Sequence, residues 1–595
     1  MASQRYLLVC GGTACASHDG AEIAEALRRE LRERGAENAA QVVVTGCFGF
    51  CEQGPVVKVL PDESFYVHVQ PEDAAEIVAE HAIGGRPVTR LLYDRRESRR
   101  HVRLEGLDFY QKQFRIVLRN CGVIDPENIH EYVARDGYVA LEKVLFEMKR
   151  QTVIEELRAS GLRGRGGAGF PVWRKWVYTQ EASAEEKYIV CNADEGDPGA
   201  YMDRSTLEGD PHSILEAMII AGHTVGARQG YIYIRAEYPL AIRRLEIAIA
   251  QARDYGLLGH DILGSGFDFD IELRFGAGAF VCGEETALIA SIEGRRGMPV
   301  PRPPFPAVRG LWGKPTVINN VETLANIPVI LQRGGKWFAS IGTDTSKGTK
   351  VFALTGKIVN SGLIEVPMGT TLREIIFDIG GGIKDGKEFK AAQTGGPSGG
   401  LIPATYLDTP IDYESLGALG SIMGSGGLIV MDEDDCIVDV NKFYLEFTVD
   451  ESCGKCAPCR IGGRSMFNLL TKIARGQGND EDVEQLRAIG RAMQKASLCG
   501  LGQTAPNPVL SALRHFPEEY EAHVRDRRCP AGRCREMVTY VILPERCIGC
   551  TLCARHCPAH CISGERRTPH VIDAARCIKC GECYRVCKFE AVRRA

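Results

Sequence analysis

Cysteine spacing is the feature that most constrains how this chain can fold. Sixteen of its 23 cysteines fall into four regularly spaced groups. In chain order these are Cys10-x4-Cys15 with Cys47-x3-Cys51, Cys453-x2-Cys456-x2-Cys459 with Cys499, Cys547-x2-Cys550-x2-Cys553-x3-Cys557-Pro558, and Cys577-x2-Cys580-x2-Cys583-x3-Cys587. Thiolates bind iron strongly, and C-x2-C spacing lets successive thiolates face one cluster. The spacing therefore predicts iron–sulfur clusters in a chain that conducts single electrons.

Length and composition predict a multidomain protein of a reducing compartment. The 595 residues exceed one hydrophobic core, so we expect about four or five domains. A net charge of −5 gives no nucleic-acid signature. The N-terminus lacks a signal-peptide pattern, and no run approaches the roughly 20 apolar residues that span a bilayer. A disulfide framework would suit a small secreted scaffold. We therefore expect a cytoplasmic location, with a peripheral place in a membrane-bound complex left open.

Patterns along the chain predict a multidomain α/β and α+β fold with two linkers. The predicted boundaries are 1–88, 89–104, 105–340, 341–425, 426–525, 526–540 and 541–595. The first segment has the β-α-β-β-α pattern of a thioredoxin-like module, and a basic linker follows it. The third alternates glycine loops with helices and strands, the fourth is short and β-rich, and the fifth is helical. After a second linker, the last segment is an internal repeat typical of a bacterial two-cluster ferredoxin.

The C-terminal repeat predicts two interleaved clusters. In such modules the last cysteine of each run ligates the cluster that the other run holds. The set for one [4Fe–4S] cluster is Cys547, Cys550, Cys553 and Cys587. The set for the second [4Fe–4S] cluster is Cys557, Cys577, Cys580 and Cys583. Cys561 lies outside this spacing, and we expect it to be a structural thiol.

The two other cysteine groups predict one cluster each. Cys453, Cys456, Cys459 and Cys499 are expected to hold a third [4Fe–4S] cluster, with zinc on the same thiolates as the alternative. A thioredoxin-like [2Fe–2S] ferredoxin has a ligand set that resembles Cys10, Cys15, Cys47 and Cys51. The alternative is a decayed module without a cluster. The whole prediction is three [4Fe–4S] clusters and one [2Fe–2S] cluster.

A mixed ligand set lies in the second linker. His523, Cys529 and Cys534 fall close together between the helical segment and the repeat. Such a set suits zinc, with a fourth ligand from elsewhere in the chain, such as Cys436. The alternative is a linker with incidental thiols.

A glycine-rich loop predicts close backbone contact with a ligand. Residues 161–170, GLRGRGGAGF, contain the pattern G-x-G-x-x-G. A Rossmann fingerprint needs a strand before this pattern, whereas residues 152–159 predict a helix. The ordinary Rossmann interpretation therefore fails. The loop still suits a phosphate or an aromatic ring, and Arg165 and Lys175 add positive charge.

Three further motifs carry polar side chains. They are NADEGDPG at 192–199, GAGAFVCGEET at 276–286 and VINNVETL at 317–324. Each alone could be a turn or a helix cap. Together they offer donors and acceptors for ribose hydroxyls, the edge of a flavin ring and a phosphate.

With these motifs, residues 105–525 resemble the NADH-binding flavoprotein subunit of respiratory complex I and its soluble relatives in hydrogenases and formate dehydrogenases. The resemblance implies a Rossmann-like FMN/NADH domain, a ubiquitin-like β-grasp domain and a helical [4Fe–4S] domain. The implied FMN site consists of Gly164, Arg165, Gly166, Gly167, Lys175, Asn192, Asp194, Phe280, Gly283, Glu284, Glu285, Ile318, Asn319, Asn320 and Thr323. The implied NADH contacts are Phe170, Tyr178, Glu195 and Asp197.

The fused end modules narrow the resemblance to the β subunit of NAD-dependent, electron-bifurcating [FeFe] hydrogenases and to related formate dehydrogenase and transhydrogenase subunits. Asp197, where complex I subunits usually have Glu, matches this group. Residues 171–175 and Phe280 depart from the usual family motifs. The resemblance implies a hetero-oligomer with a small [2Fe–2S] thioredoxin-like subunit, ferredoxin, and a hydrogenase or formate dehydrogenase catalytic subunit.

The resemblance also implies the chemistry. FMN accepts hydride from NADH and releases electrons singly, so no side chain is expected to act as an acid or base. Glu195 and Asp197 are expected beside the ring. Two alternatives stay open. One is a non-bifurcating NADH dehydrogenase module of a complex I-like NADH:quinone oxidoreductase, and the other is an electron-wire subunit without nucleotide binding.

Overall fold

The computed structural model describes residues 4–93 and 107–594. Most of the predicted linker 89–104 lies outside the described residues. The chain divides into two compact units. The first consists of Met1–Lys387 with Ala391–Val430, and the second consists of Glu388–Lys390 with Met431–Ala595.

The N-terminal module of the first unit contains the predicted β-α-β-β-α elements, with a further short helix before the long one and a fourth strand. Its elements are β1 (Arg5–Cys10), α1 (Thr13–Ala16), α2 (Gly20–Glu33), β2 (Ala40–Thr45), β3 (Val57–Leu60), β4 (Ser64–Tyr66), α3 (Ala74–Glu76) and a π-helix (Ile77–Ile83). The sheet order is β2-β1-β3-β4, with β1 parallel to β2 and antiparallel to β3. Ile23, Leu27 and Leu31 recur every four residues of α2, and this spacing buries them together in the module's core.

The next region is a four-stranded parallel sheet covered by helices. Its strands are β5 (Tyr188–Ala193), β6 (Gln229–Arg235), β7 (Asp270–Gly276) and β8 (Thr316–Asn320). Its helices are α4 (Asp108–Gln111), α5 (Ile129–Val133), α6 (Val139–Phe146), α7 (Arg150–Ser160), α8 (Val172–Glu181), α9 (Met202–Gly209), α10 (Pro211–Val225), α11 (Pro239–Asp254), α12 (Glu285–Ile292), α13 (Val321–Arg333) and α14 (Gly335–Ala339). The strand order is β7-β6-β5-β8. As predicted, a helix, α7, precedes the glycine-rich loop.

A mixed five-stranded sheet completes the first unit, as expected of a β-grasp domain. Its elements are β9 (Thr349–Gly356), β10 (Gly362–Pro367), a π-helix (Glu374–Ile379), β11 (Phe389–Thr394), β12 (Leu401–Pro403), α15 (Tyr413–Ala418) and β13 (Gly427–Asp432). The strand order is β10-β9-β13-β11-β12. β9 pairs antiparallel with β10 and parallel with β13. The sheet thus includes a strand that follows the predicted boundary at residue 425.

Six helices open the second unit. They are α16 (Ile437–Asp450), α17 (Gly463–Ala474), α18 (Asp480–Ala496), α19 (Gly500–Thr504), α20 (Asn507–His515) and α21 (Pro517–Val524), with a π-helix (Pro458–Gly462) before α17. α18 begins with a capping box, in which Asn479 and Asp482 each accept the other's backbone N–H. α17 packs between α16 and α18.

The C-terminal repeat consists of two short helices and two small sheets. Its elements are β14 (Tyr540–Ile542), α22 (Leu552–Arg555), β15 (Ile562–Ser563), β16 (Val571–Ile572), α23 (Glu582–Val586) and β17 (Val592–Arg594). β14 pairs antiparallel with β17, and β15 pairs antiparallel with β16. The first strand of the module thus pairs with its last, which brings the two cysteine runs together. Across the part of the chain that the structure describes, no helix has the length and apolar character needed to cross a membrane.

Candidate flavin and metal sites

The edge of the parallel sheet at the ends of β5 and β8 is the natural ligand site of the first unit. The chain runs from β5 outward through β6 and β7, and then returns to place β8 on the other side of β5. Ligands bind at such a reversal, beyond the carboxyl ends of the strands. β5 pairs Cys191 with Asn319 and Asn192 with Asn320. The sheet register therefore brings the two asparagine motifs to one edge.

The glycine-rich loop lies against this edge. The Gly164 N–H donates to Phe170 O at 2.9 Å and closes the loop. A Cβ atom at Gly166 would lie 3.1 Å from the Asn320 Cβ, so only glycine leaves this approach open. The Arg165 N–H donates to Thr323 Oγ1 at 2.8 Å. The loop backbone is thus fixed to the start of α13, with the geometry that a ring or phosphate cradle requires.

The Arg165 side chain does not point to a ligand. It is only 1% exposed, and its guanidinium donates to Thr349 O at 3.1 Å and to Lys347 O at 2.6 Å. A buried guanidinium needs such acceptors. Arg165 could therefore contact FMN through its backbone only. Its side chain instead connects the glycine-rich loop to the β-grasp domain.

Lys175 and Glu285 supply charge at the same edge. Lys175 Nζ donates to Ile318 O at 2.8 Å and lies 3.6 Å from Glu285 Oε2. Arg302 Nη1 lies 2.5 Å from Glu285 Oε1. Arg302 Nη1 also lies 4.0 Å from Glu284 Oε1, so two cations and two carboxylates form one charged cluster at this edge.

Neighbouring groups fix the amides and Glu284. Asn192 Nδ2 donates to Gly283 O at 2.9 Å. Trp176, a buried residue of α8 that no sequence motif indicated, donates from Nε1 to Asn319 Oδ1 at 3.0 Å. Glu284 accepts two backbone N–H groups at the start of α12 and caps that helix. These side chains are therefore oriented before any ligand arrives.

The acidic loop carries two carboxyl groups with raised pKa values. Glu195 accepts the Asp203 N–H at 3.2 Å and the Arg204 N–H at 3.1 Å, which caps α9. Burial raises the pKa of Glu195 to about 7, although these backbone N–H groups oppose the shift. Asp197 accepts Ser425 Oγ–H at 2.7 Å. Burial raises the pKa of Asp197 to about 6. Both carboxyl groups therefore titrate near neutral pH.

A second layer of buried charge, which no sequence motif indicated, lies beneath the asparagines. Asn320 Nδ2 donates to Asp203 Oδ2 at 2.5 Å. Burial raises the pKa of Asp203 well above its usual range, and the carboxylates of Glu195 and Glu322 add to the shift. Lys350 pairs with Glu322, and both side chains are at most 1% exposed. No periodicity or local pattern marks Asp203 or Lys350, because their role depends on tertiary contacts.

Two aromatic rings of the implied NADH contacts are open to solvent, and a third ring lies against the acidic loop. Phe170 is 43% exposed and Tyr178 is 49% exposed. Phe280 lies against Gly196, where a Cβ atom would come within 2.7 Å of the ring. Exposed rings beside a polar edge suit stacking with a nicotinamide or adenine ring.

Asp194 has a cation beside it. Arg235 Nη1 lies 3.4 Å from Asp194 Oδ1. The Asp194 N–H donates to Asn192 Oδ1 at 3.1 Å. The carboxylate is therefore held at the end of β5, in reach of the ligand edge.

The four N-terminal thiols meet in one place. Cys47 Sγ lies 3.7 Å from Cys51 Sγ. The Cys10 thiol contacts those of Cys15 and Cys47, and these hydrogen bonds lower its pKa well below the usual range. Four converging thiols fit a [2Fe–2S] cluster. Between two of the ligands, the Thr13 N–H donates to Glu208 Oε2 at 3.0 Å, which fixes the thiol loop to α9.

The Cys453 group lies at the junction of the π-helix, α18 and α19. Ser452 Oγ lies 3.2 Å from Cys459 Sγ. Burial raises the pKa of Cys459, and the thiolates of Cys453 and Cys456 add to the shift. Cys499 is the N-cap residue of α19, and a Cβ atom at Gly502 of that helix would lie 2.9 Å from the Cys459 Cβ. The distant fourth cysteine is thus brought towards the other three.

The C-terminal module contains two cavities that separate the two predicted ligand sets. One cavity is lined by Cys547, Cys550, Cys553 and Cys587. The other is lined by Cys557, Cys577, Cys580 and Cys583, and by Cys561 as well. Each cavity mixes three cysteines of one run with the last cysteine of the other. Cavities bounded by four thiols fit [4Fe–4S] clusters.

The four possible zinc ligands also converge, with Cys436 before α16, His523 in α21, and Cys529 and Cys534 in the second linker. The ligand atoms of Cys436, His523, Cys529 and Cys534 all lie within 4.8 Å of one another, and all four residues are buried. Cys436 Sγ lies 3.3 Å from His523 Nε2 and 3.7 Å from Cys534 Sγ. His523 Nδ1 contacts Glu519 O at 2.7 Å, which leaves Nε2 to face the thiols. Three sulfurs and one imidazole at this spacing fit tetrahedral zinc.

Four family models match successive parts of the chain. The thioredoxin-like [2Fe-2S] ferredoxin model matches residues 2–82, and the Nuo51 FMN-binding domain matches residues 157–329. The NADH-ubiquinone oxidoreductase-F iron-sulfur binding region matches residues 439–523. The 4Fe-4S binding domain matches residues 540–563 and 570–593.

Whole-chain comparisons agree with these models. The chain is 61% identical over 482 residues to the NADP-reducing hydrogenase subunit HndC of Solidesulfovibrio fructosivorans, a match that covers 81% of this chain and 98% of that protein. It is 46% identical over 415 residues to an F-type subunit of the NADH-quinone oxidoreductase of Rhizobium meliloti, covering 70% and 99%. Among solved structures, a chain of the NAD+-reducing [NiFe]-hydrogenase in the H2-reduced state matches with a TM-score of 0.62 and 29% identity, covering 88% of this chain and 85% of that chain.

Proposed function

Because the chain belongs to the family of FMN-binding iron–sulfur subunits found in NAD(P)-linked hydrogenases and complex I-type NADH dehydrogenases, we propose that it is the nucleotide-oxidising subunit of an electron-bifurcating complex. It exchanges hydride with NAD(H) and passes single electrons to ferredoxin and to a partner hydrogenase or formate dehydrogenase. A small [2Fe–2S] thioredoxin-like subunit joins it in a cytoplasmic hetero-oligomer. Membership of the family follows from the comparisons. Bifurcation and the identity of the partners are what we propose.

One observation carries the proposal. A ligand edge suited to a flavin and a dinucleotide lies in the same chain as four sets of converging thiols. Bound FMN supplies the chemistry, since it accepts two electrons as hydride and gives them up one at a time. Bifurcation requires two separate electron-transfer paths from the flavin. The N-terminal and C-terminal cysteine modules would provide them.

The chain's own residues bind and orient the reactants. The loop backbone at Gly166 would lie against the ring of bound FMN. Asn192, Asn319 and Asn320 would offer it side-chain amides that the protein already holds in place. Lys175 draws in a phosphate group. Phe170 and Tyr178 stack with the dinucleotide and exclude water from the ring face.

The carboxyl groups hold protons near these ligands. Glu195 and Asp197 have raised pKa values, so near neutral pH they spend part of the time uncharged. An uncharged carboxyl group repels an anionic dinucleotide less than a carboxylate does. The acidic loop can thus accept NADH without a large electrostatic cost.

The test of bifurcation uses the whole complex under anaerobic conditions. NAD+ reduction or NADH oxidation is measured with hydrogen or formate, with ferredoxin, and with both redox partners together. The proposal expects turnover only when both partners are present. Turnover that never requires both together would contradict bifurcation. Release of FMN from the denatured chain, and bleaching of the visible spectrum by NADH, test the flavin site separately.

A non-bifurcating NADH dehydrogenase module is the second candidate. It is favoured by the match that spans 99% of the NADH-quinone oxidoreductase protein of Rhizobium meliloti. That match covers 70% of this chain, so the remaining 30% has no counterpart in it. The same assay separates the two, because this module would pass both electrons to a single acceptor.

We also propose a structural zinc ion at Cys436, His523, Cys529 and Cys534. Three buried thiols and an imidazole whose ligand atoms lie within 4.8 Å of one another match the ligand set of a structural zinc site. Metal analysis of the purified chain should find one zinc together with about 14 iron atoms, the content of three [4Fe–4S] clusters and one [2Fe–2S] cluster. Iron content with no zinc would contradict the zinc site alone.

A further inference from the structure

The second cavity of the C-terminal module contains five cysteines. Besides the predicted ligands, it is lined by Cys561. Cys561 is only 4% exposed, and its Sγ lies 3.4 Å from Cys557 Sγ. Its side chain also reaches the thiol of Cys577. The residue expected to be a structural thiol therefore contacts ligands from both cysteine runs.

The other half of the repeat provides a natural comparison. Cys561 lies four residues after Cys557, the last cysteine of its run, and Ala591 lies four residues after Cys587. Ala591 lines the first cavity, as Cys561 lines the second. It is also buried, at 2% exposed. The two positions correspond in spacing from the last cysteine and in lining a cavity, and only residue 561 carries a thiol.

We propose that Cys561 is a reserve iron ligand of the second cluster. When Cys557 leaves iron, Cys561 takes its coordination position. The Fe–S bond to Cys557 breaks, the Fe–S bond to Cys561 forms, and the proton lost by the Cys561 thiol is taken up by the Cys557 thiolate. No electron is transferred, so the exchange needs no oxidant. The inference rests on the proposed assignment of the two C-terminal clusters.

The geometry favours a ligand role over simple packing. A buried cysteine often packs as a small apolar group. Packing alone would be served equally well by alanine, which the chain uses at residue 591. Cys561 instead directs its sulfur towards the sulfur that it would replace, and its N–H contacts Cys557 Sγ at 3.4 Å. A short side-chain movement therefore suffices for the exchange.

The repeat allows a matched experiment on the full chain, purified without oxygen. Cys557→Ala is compared with Cys587→Ala by iron and sulfide content and by EPR of the oxidised and reduced forms. Cys557→Ala is expected to keep the wild-type iron content. Cys587→Ala is expected to lose between one and about four iron atoms, with a [3Fe–4S] signal when only one leaves.

Double variants complete the test. Cys557→Ala/Cys561→Ala should lose iron as Cys587→Ala does, and Cys587→Ala/Ala591→Cys should regain it. The signal of the untouched cluster in each variant shows that the module has folded. Equal iron loss in Cys557→Ala and Cys587→Ala, with that signal intact, would overturn the proposal. So would a full cluster in Cys557→Ala/Cys561→Ala. If the wild-type protein shows no [4Fe–4S] signals from this module, the proposed assignment of the two C-terminal clusters is itself wrong.

Discussion

Two candidate sites satisfy their buried polar groups in opposite ways. One is the edge of the parallel sheet at the ends of β5 and β8, here called the flavin edge. The other is the group of four proposed zinc ligands in the second unit, here called the zinc set. At the flavin edge, Asn192, Glu195 and Asp197 each already have a hydrogen-bond partner in the protein. In the zinc set, the sulfurs and the imidazole nitrogen mainly face one another. The flavin edge should therefore keep its shape without its cofactor. The zinc set should depend on the proposed ion, because metal binding to such a set is part of the folding free energy.

The largest expected effect is the loss of the zinc ion. Cys529→Ser should lower the zinc content and release residues 526–540, since structural zinc contributes on the order of 10 kcal/mol in small domains. Zinc analysis and limited proteolysis of this segment provide the measurement. Cys121→Ser, which alters a buried thiol of the first unit, is the matched control and should keep zinc. An unchanged zinc content and cleavage pattern in Cys529→Ser would contradict the prediction that the zinc set depends on an ion.

Breaking the buried ion pair near the flavin edge should have the next largest effect. Lys350→Met leaves Glu322 buried without its cation, which should cost about 3–5 kcal/mol. The denaturant midpoint for FMN release measures this loss. Lys350→Met/Glu322→Gln should recover much of it. Lys384→Met, which removes a half-exposed pair with Glu52, should cost about 1 kcal/mol or less. Equal costs for the two single variants would show that the edge is not held by buried charge.

The pH dependence of NADH binding tests the acidic loop. The pKa of Glu195 is raised to about 7 by burial, so its carboxyl group is protonated below pH 7 and becomes an anion as the pH rises through 7. NADH affinity should therefore fall across this range, by at most about tenfold per pH unit. Titration of the flavin absorbance with NADH at several pH values measures it. In Glu195→Gln the dependence near pH 7 should flatten. An identical profile in both proteins would mean that another group controls binding.

The smallest expected effect is the loss of a single hydrogen bond. Ser425→Ala removes the donor to Asp197 and should cost about 1 kcal/mol. Because this hydrogen bond lowers the pKa of Asp197, its loss should raise that pKa above about 6. Infrared titration of the carboxyl band, with Asp197→Asn as the assignment control, measures the shift. Ser425→Thr keeps a hydroxyl group and should behave more like the wild type. A shift in the opposite direction would contradict the assigned contact.

Local patterns were enough to predict several parts of the molecule. The repeat of two cysteine runs predicted both C-terminal ligand sets, since crossed ligation follows from the spacing, and the structure places each set around its own cavity. The helix before the glycine loop was predicted, and α7 confirms it. The helix is confirmed and the ligand sets stay predictions, and both could be made from the sequence because neighbouring residues in the chain decide them.

Other parts depended on contacts between distant segments. Trp176, Asp203, Lys350 and Ser425 have no motif, yet each orients or balances a group at the flavin edge. Arg165 was expected at FMN, whereas acceptors from the β-grasp domain bind its side chain. A buried guanidinium goes to the nearest carbonyl groups, and the sequence does not show which carbonyl groups these are.

By itself, the sequence predicted which residues would bind the clusters and the flavin in this protein, because cysteine spacing and glycine-rich motifs are local and chemically specific. Only the tertiary structure decided which residues from distant parts of the chain lie beside them. It brought Cys436 to His523 across 87 residues, and it placed Cys561 in a cavity with four predicted ligands. The physical reason is that ligation and charge balance depend on distances of a few ångströms, which folding sets between segments far apart in the chain.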